Sequence, residues 1–242
     1  MELSKRLQAV ADMVTAGRNV ADVGCDHGYV SIYLMQRRIA NRVYAMDVNR
    51  GPLERAAEHV AEAGLSEKIS IRLSDGANAL SAGEADCMVV AGMGGRLMMR
   101  ILSDAAERNL MFEELVLQPQ SEPFKVRQYL WENGYYIADE KMVFEDGKYY
   151  QIIKALRGRE IELEQADQLT YEAYACYGKV LLQKQDNVAM DYLAFELLKC
   201  DEIYQHILEK QTRAQTDTLL ALEQKRKVIA HAQRIGESYG KN

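Results

Sequence analysis

The chain has 242 residues, 48% hydrophobic and 27% charged with only 3 prolines, a balance that fits one or two globular domains and excludes collagen-like or low-complexity chains. Its 36 acidic and 30 basic side chains leave a formal charge of −6, which argues against a surface that binds nucleic acid everywhere but leaves room for a local basic face. No apolar run approaches the ~20 residues of a membrane span, and the start, Met1-Glu-Leu-Ser-Lys-Arg6, lacks a signal-peptide layout, so a cytoplasmic protein with no membrane partner is expected. The 4 cysteines (Cys25, Cys87, Cys176, Cys200) form no Cys-x-x-Cys pair and the 4 histidines are scattered, so neither a disulfide framework nor a metal site is expected.

In chain order, Leu3, Leu7, Val10 and Val14 form one apolar stripe, the mark of an opening helix. Asn19–Val23 reads as a strand, followed by Gly24, Gly28 and a second helix to about Arg38. Arg42–Met46 is a second strand closed by Asp47. Gly51-Pro52 starts a third helix, because proline suits a first turn, and Gly64 ends it. Ile69–Leu73 alternates as a half-buried strand, and Asp86–Gly92 reads as one buried on both faces. Leu115–Pro119 is a fifth strand, and Tyr135–Asp139 and Lys148–Lys154 are two late ones. With helical crossovers between the early strands, residues 1–156 are expected to form an α/β domain with a mostly parallel sheet and helices on both faces.

Beyond residue 156 nearly everything reads as helix. Ala189, Leu193, Leu197, Cys200, Tyr204 and Ile207 make a seam close to period 3.5, and Thr216–Gly236 places Leu219, Leu222 and Ile229 inward. An all-α antiparallel helical hairpin, coiled-coil-like, is expected over residues 157–242.

Ligands in doubly wound sheets sit beyond the carboxyl ends of the strands, where strand order reverses. The segments there are Asp22-Val-Gly24-Cys25-Asp26-His27-Gly28, Asp47-Val48-Asn49, Ser74-Asp75-Gly76, Gly92-Met93-Gly94-Gly95 and Gln118-Pro119-Gln120. Gly24 and Gly28 allow close backbone approach. Asp47, 23 residues beyond Gly24, stands where an acid accepts from ribose hydroxyls, and Asp75 is suited to accept from an adenine amino group. The first loop is not Gly-x-Gly-x-x-Gly. Its extra carboxylate repels a pyrophosphate but suits a cationic amino-acid sulfonium, which points to S-adenosyl-L-methionine. A loop of Asp and Gly also makes an ordinary turn; the ordered acids at three strand ends are what distinguish a site.

The same segments, Asp22-Val-Gly-Cys-Asp-His-Gly-Tyr29, Asp47-Val-Asn-Arg-Gly-Pro-Leu53, Ser74-Asp-Gly76, Gly92-Met-Gly-Gly95 and Leu117-Gln-Pro-Gln120, resemble the bacterial TrmK family, tRNA (adenine-N1)-methyltransferases acting on adenine 22. The resemblance covers most of the first 155 residues. It implies a class I methyltransferase Rossmann-like fold, a tRNA substrate, and a cofactor-binding set of Asp22, Gly24, Cys25, Gly28, Tyr29, Asp47, Val48, Asn49, Ser74, Asp75, Gly76, Gly92 and Met93. The chain departs from the family at Ser31 and Lys179, where proline is expected, and neither position is expected to touch the ligand rim.

Asp26 and His27 are the candidate catalytic residues: Asp26 to stabilise the cationic product or accept from the adenine amino group, His27 as a hydrogen-bond partner or proton acceptor. The competing readings are that Asp26 caps the second helix and that His27 orders the loop. The absence of Asn-Pro-Pro-Tyr after the fourth strand disfavours adenine N6 as target. Lys5, Arg6, Arg96 and Arg100 are candidate tRNA contacts, while Arg37 and Arg38 also suit a helix end. Lys184 and Lys225-Arg226-Lys227 are either a solvated face or a grip on folded RNA. A small-molecule or protein methyltransferase and a non-enzymatic nucleotide-binding adaptor remain the alternatives at this point.

Overall fold

The computed structural model describes residues 2–210 and 216–240. The chain forms two compact units, Met1–Arg159 and Glu160–Asn242.

The first unit runs α1 (Lys5–Asp12), β1 (Arg18–Val23), α2 (Tyr29–Gln36), β2 (Ala40–Asp47), α3 (Arg50–Glu62), β3 (Ile69–Leu73), β4 (Cys87–Gly94), α4 (Gly95–Glu107), β5 (Glu114–Ser121), α5 (Pro123–Glu132), β6 (Tyr135–Glu145) and β7 (Lys148–Arg157). Its seven-stranded sheet has the order β3-β2-β1-β4-β5-β7-β6. The first five strands are parallel, and β7 runs antiparallel to both β5 and β6. Strand order therefore reverses between β1 and β4, and the loops after these strands open on one end of the sheet.

The strand alternation sorts the core into two layers. Val20, Val89, Val116 and Ile152 join one cluster with Val10 of α1, Ile32 and Leu34 of α2, and Leu53 and Val60 of α3. The neighbouring Ala21, Val90, Leu117 and Ile153 are equally buried but lie outside that cluster, on the face where Met98 and Leu102 of α4 and Val126 and Leu130 of α5 are buried. Helices thus cover both faces, as parallel strands require. Local signals set the ends: Ser4 caps α1 by accepting from the Leu7 amide at 3.3 Å, Pro52 lies in the first turn of α3, and Pro123 opens α5.

The late strands are longer than the sequence reading had them. Asp146 and Gly147, with φ of 50° and 74°, make a tight turn that pairs β6 and β7 from Tyr135↔Arg157 to Glu145↔Lys148. An internal ion pair ties this hairpin to α5: buried Arg127 donates through Nε to Glu140 at 2.7 Å and through Nη2 to Gln151 at 2.6 Å. Likewise α2 stops at Gln36 rather than Arg38, because Arg38 turns left-handed at φ 57°.

The second unit contains α6 (Ile161–Glu164), α7 (Gln168–Tyr177), α8 (Lys179–Lys184), α9 (Asn187–Lys210) and α10 (Thr216–Tyr239). The antiparallel hairpin is α9 with α10; residues 211–215 lie outside the described residues. Ala189, Leu193 and Cys200 are buried, whereas Leu197, Tyr204, Ile207, Leu219 and Leu222 are half-buried. The hairpin is also not alone. α10 packs against α7 and α8, burying Val228, Ile229 and Ala232. The basic run is largely exposed, with Lys225 and Lys227 facing solvent, but two of its members are paired across the hairpin. Lys225 pairs with Glu196 at 2.5 Å and Arg226 with Asp201 at 2.6 Å, stapling α10 to α9. Lys179 is buried at the start of α8 and bonded to Glu160 and Glu162.

Candidate active site

A cleft of about 650 Å³ opens at the strand-order reversal, the size of a small-molecule site. Its first wall is the turn after β1. The Gly24 and Cys25 amides donate to the Met46 carbonyl at 2.8 and 2.9 Å, which lays this loop against the end of β2. Gly24 has φ +74°, a conformation that favours glycine, and a Cβ there would press on the Cε end of Met93 at 2.1 Å, so the turn after β1 and the end of β4 meet at this position. Gly28 turns left-handed to start α2, with a Cβ contact of 3.2 Å to Ala56 of α3; it supports the loop and does not line the cleft.

Four carboxylates border the space, each in a different state. Asp22 is 4% exposed, and its Oδ2 accepts from Ser31 Oγ at 2.6 Å. Burial pushes its pKa up to about 6; Ser31 opposes the rise and the charge of Asp47 adds to it. Asp47 accepts from the Asn49 amide at 2.9 Å and from the Asp26 amide at 3.3 Å. Asp26, at φ 51°, carries a side chain that is 69% exposed and lies 3.5 Å from His27 Nε2. Asp75 accepts from Arg100 Nη2 at 2.8 Å, so the far end of the cleft is an ion pair rather than a lone acid. Ser74 pins that turn, accepting from the Ala79 amide and donating to the Gly76 carbonyl, both at 2.9 Å.

Asp22, Gly24, Cys25, Asp26, Tyr29, Asp47, Val48, Asn49, Ser74, Asp75, Gly76, Gly92, Met93, Arg6 and Arg100 all line this cleft. Four candidates do not: Gly28, His27, Lys5 and Arg96 are absent from its wall. His27 packs beside Tyr29 and His59, whose rings stack at 5.2 Å, and its Nδ1 is buried without a hydrogen-bond partner. The capping reading of Asp26 is not realised, since Gly28 occupies the N-cap of α2 with no side-chain bond. Lys5 is exposed and its amide donates to Glu145 at 2.7 Å; Arg96, 82% exposed, pairs with Glu122 at 3.4 Å. Burial pushes the Cys25 thiol up, so it is a neutral wall group and not a nucleophile. Among the described residues no cluster of His, Cys, Asp or Glu is arranged to hold a metal, and no helix is long and apolar enough to cross a membrane.

The opposite wall is built by α1. Arg6 donates through Nη1 to Gln118 Oε1 at 2.8 Å and lies over the Tyr150 ring, 5.4 Å from its centroid. The same buried Gln118 oxygen accepts from the Gly92 amide at 3.1 Å. One amide thereby connects α1, the end of β4 and β5.

A family model described as a methyltransferase domain matches residues 3–153. The tRNA (adenine(22)-N(1))-methyltransferase of Bacillus subtilis is 33% identical over 208 residues, 86% of each chain. The chain belongs to this family. The crystal structure of the B. subtilis M1A22 tRNA methyltransferase TrmK superposes with a TM-score of 0.84 at 30% identity, covering 96% of this chain and 99% of that one. Streptococcus pneumoniae Sp1610, provisionally assigned as a tRNA (m1A22) methyltransferase and solved in complex with S-adenosyl-L-methionine, gives 0.82 at 28% identity over 96% of this chain and 100% of that one.

Within this TrmK-family cleft, sequence reasoning missed Leu7, Val30, Leu97 and Ile101 on the wall and Ser31 behind it; Gln118 and Gln120 it placed at the strand ends without giving them a role. Leu7 carried a helical stripe, which reads as core. Ser31 does not line the cleft, yet its hydroxyl bonds Asp22, the most buried acid of the site. No local pattern marks it, because β1 and α2 meet only when the turn folds.

Proposed function

We propose that this protein transfers the methyl group of S-adenosyl-L-methionine to N1 of adenine 22 in tRNA, and that it works in the cytoplasm, where tRNA is. The observation that carries this reading is the acid-lined cleft at the strand-order reversal, in a chain 33% identical to a tRNA (adenine(22)-N(1))-methyltransferase. The donor supplies an already activated methyl group, so no metal is needed by the chemistry.

The residues present suit that donor. Asp22, buried and hydrogen-bonded on one oxygen, faces the cleft as a receptor for an ammonium group. Asp47, held by two backbone amides, is oriented to accept from ribose hydroxyls. Asp75 lies at the far end for the adenine ring of the donor, with Arg100 beside it. Gly24 and Gly92 bring no side chain to the place where donor and acceptor meet, and the unbranched thioether chain of Met93 ends there.

The target base needs no deprotonation, because neutral adenine carries a lone pair on N1. The protein's task is alignment, with stabilisation of the positive charge that develops on the base. Asp26, exposed at the cleft edge, is the acid placed to receive that charge, with His27 ordering the loop beside it. Withdrawing the base from its tRNA contacts costs about 3 kcal/mol. Arg6 at the wall, with Lys5 and Arg96 on the exposed surface, is proposed to offset this through phosphate contacts. The helical unit is proposed to hold a second region of the RNA by its shape.

The test is methyl transfer to tRNA transcripts with adenine or guanine at position 22, followed by nucleoside analysis. N1-methyladenosine in the first transcript only is expected. Equal labelling of both, or a product methylated at another atom, rejects the assignment.

A further inference from the structure

Asp22 and Ser31 come from different elements and meet inside the protein. Ser31, in the first turn of α2, is fully buried, and its Oγ donates to Asp22 Oδ2 at 2.6 Å. Among the described residues no basic side chain pairs with this carboxylate. We propose that Ser31 is a positioning residue for methyl-donor binding: its hydroxyl holds one oxygen of Asp22 so that the other edge faces the cleft and receives the donor's ammonium. This rests on the reading of the cleft as the donor site.

The physical need is plain. A buried carboxylate without a partner protonates instead of staying charged. Burial already pushes Asp22 up to about 6, and Asp47 from β2 pushes in the same direction. Asp26 adds a further acid in the intervening loop, while Cys25 is neutral. Ser31, through its hydroxyl and amide, is the group that pulls the other way. Without the hydroxyl, Asp22 titrates at a higher pH and keeps only the Ser31 amide to orient it. The cost falls on the part of the donor that carries the ammonium, and the nucleoside end is untouched.

That division supplies the test. The full-length protein is titrated calorimetrically with S-adenosyl-L-methionine and with 5′-methylthioadenosine, which keeps the thionucleoside but has no amino-acid group. Measurements run from about pH 5 to 7.5, below the titration of an α-ammonium near ~8. Wild type should bind S-adenosyl-L-methionine less well as the pH falls through the Asp22 titration. Ser31→Ala should weaken it about tenfold at pH 7, the worth of a charge-assisted hydrogen bond. Its pH midpoint should move upward, while methylthioadenosine affinity stays at the wild-type value. Ser31→Cys, nearly isosteric with a weak donor, should fall between the two, and it carries the test if the alanine variant does not fold. A Ser31→Ala profile like that of wild type overturns the inference. So does equal weakening of both ligands, which marks a general loss of pocket structure. Wild-type protein that binds neither ligand refutes the donor reading itself, and this inference with it.

Discussion

Replacing Asp22 with Asn should make the ligand-free protein more stable at neutral pH while removing its grip on the donor. The folded protein raises this carboxyl from 3.8 to about 6 by burial. An acid whose folded pKa exceeds its unfolded value binds its proton more tightly when folded. Its contribution therefore favours the fold at low pH and is lost as pH rises from about 4 through about 6. Two units at about 1.4 kcal/mol each give a cost near 3 kcal/mol at pH 7 and above. The residue is 4% exposed, so solvent screens little of this. Asn keeps the shape and an oxygen for Ser31 Oγ without the charge. Thermal unfolding should show Asp22→Asn above wild type by about 6–12 °C at pH 8, taking roughly 2–4 °C per kcal/mol for this chain length. The gap should close towards pH 4. S-adenosyl-L-methionine affinity should fall in the same variant, a case of stability given up for function. An offset that does not change with pH, or a variant less stable than wild type at pH 8, refutes the electrostatic account of Asp22.

Three further substitutions probe the other walls. Asp47→Ala should lower donor affinity by about tenfold or more, as loss of a charged acceptor does, with tRNA affinity unchanged in a filter-binding assay; unchanged donor affinity in calorimetry removes the ribose role. Asp26→Ala should reduce the single-turnover methyl-transfer rate by about 10–100-fold, the range of one electrostatic contact to a developing charge, with donor affinity little altered; a wild-type rate excludes it from the chemistry. Gln118→Leu should cost about 1 kcal/mol in urea unfolding, because it removes the shared acceptor of the Arg6 and Gly92 donors, which water in the cleft then satisfies in part. It should also lower the turnover rate more than donor affinity, and equal losses in both would mean that Gln118 only supports the fold.

Most of the scaffold is legible in the sequence because its signals are local. The apolar runs of β1, β2, β4 and β5 and the stripe of α1 lie within a few residues of one another, and glycine or proline marks several ends, those of α3 included. The motif spacing, with acids after three successive strands, leads to one cleft because parallel strands must send their carboxyl ends to the same side. The length of β6 and β7 is also written locally, in the turn residues Asp146-Gly147. In the second unit α9 and α10 are readable from periodicity, whereas α7 and α8 beside them and the partners of Lys225 and Arg226 are not, since Glu196 and Asp201 lie on another helix.

The amino-acid order alone thus determined the α/β scaffold, the ends of its strands and the acids gathered there, since each depends on neighbours along the chain. The folded molecule decided what those acids do. Asp22 draws on Ser31 nine positions away, Asp75 is neutralised by Arg100 twenty-five positions away, and Arg6 is held by Gln118 at a separation of 112. Protonation state and orientation follow from burial and from which donor lies within about 3 Å, and only packing of distant segments sets either.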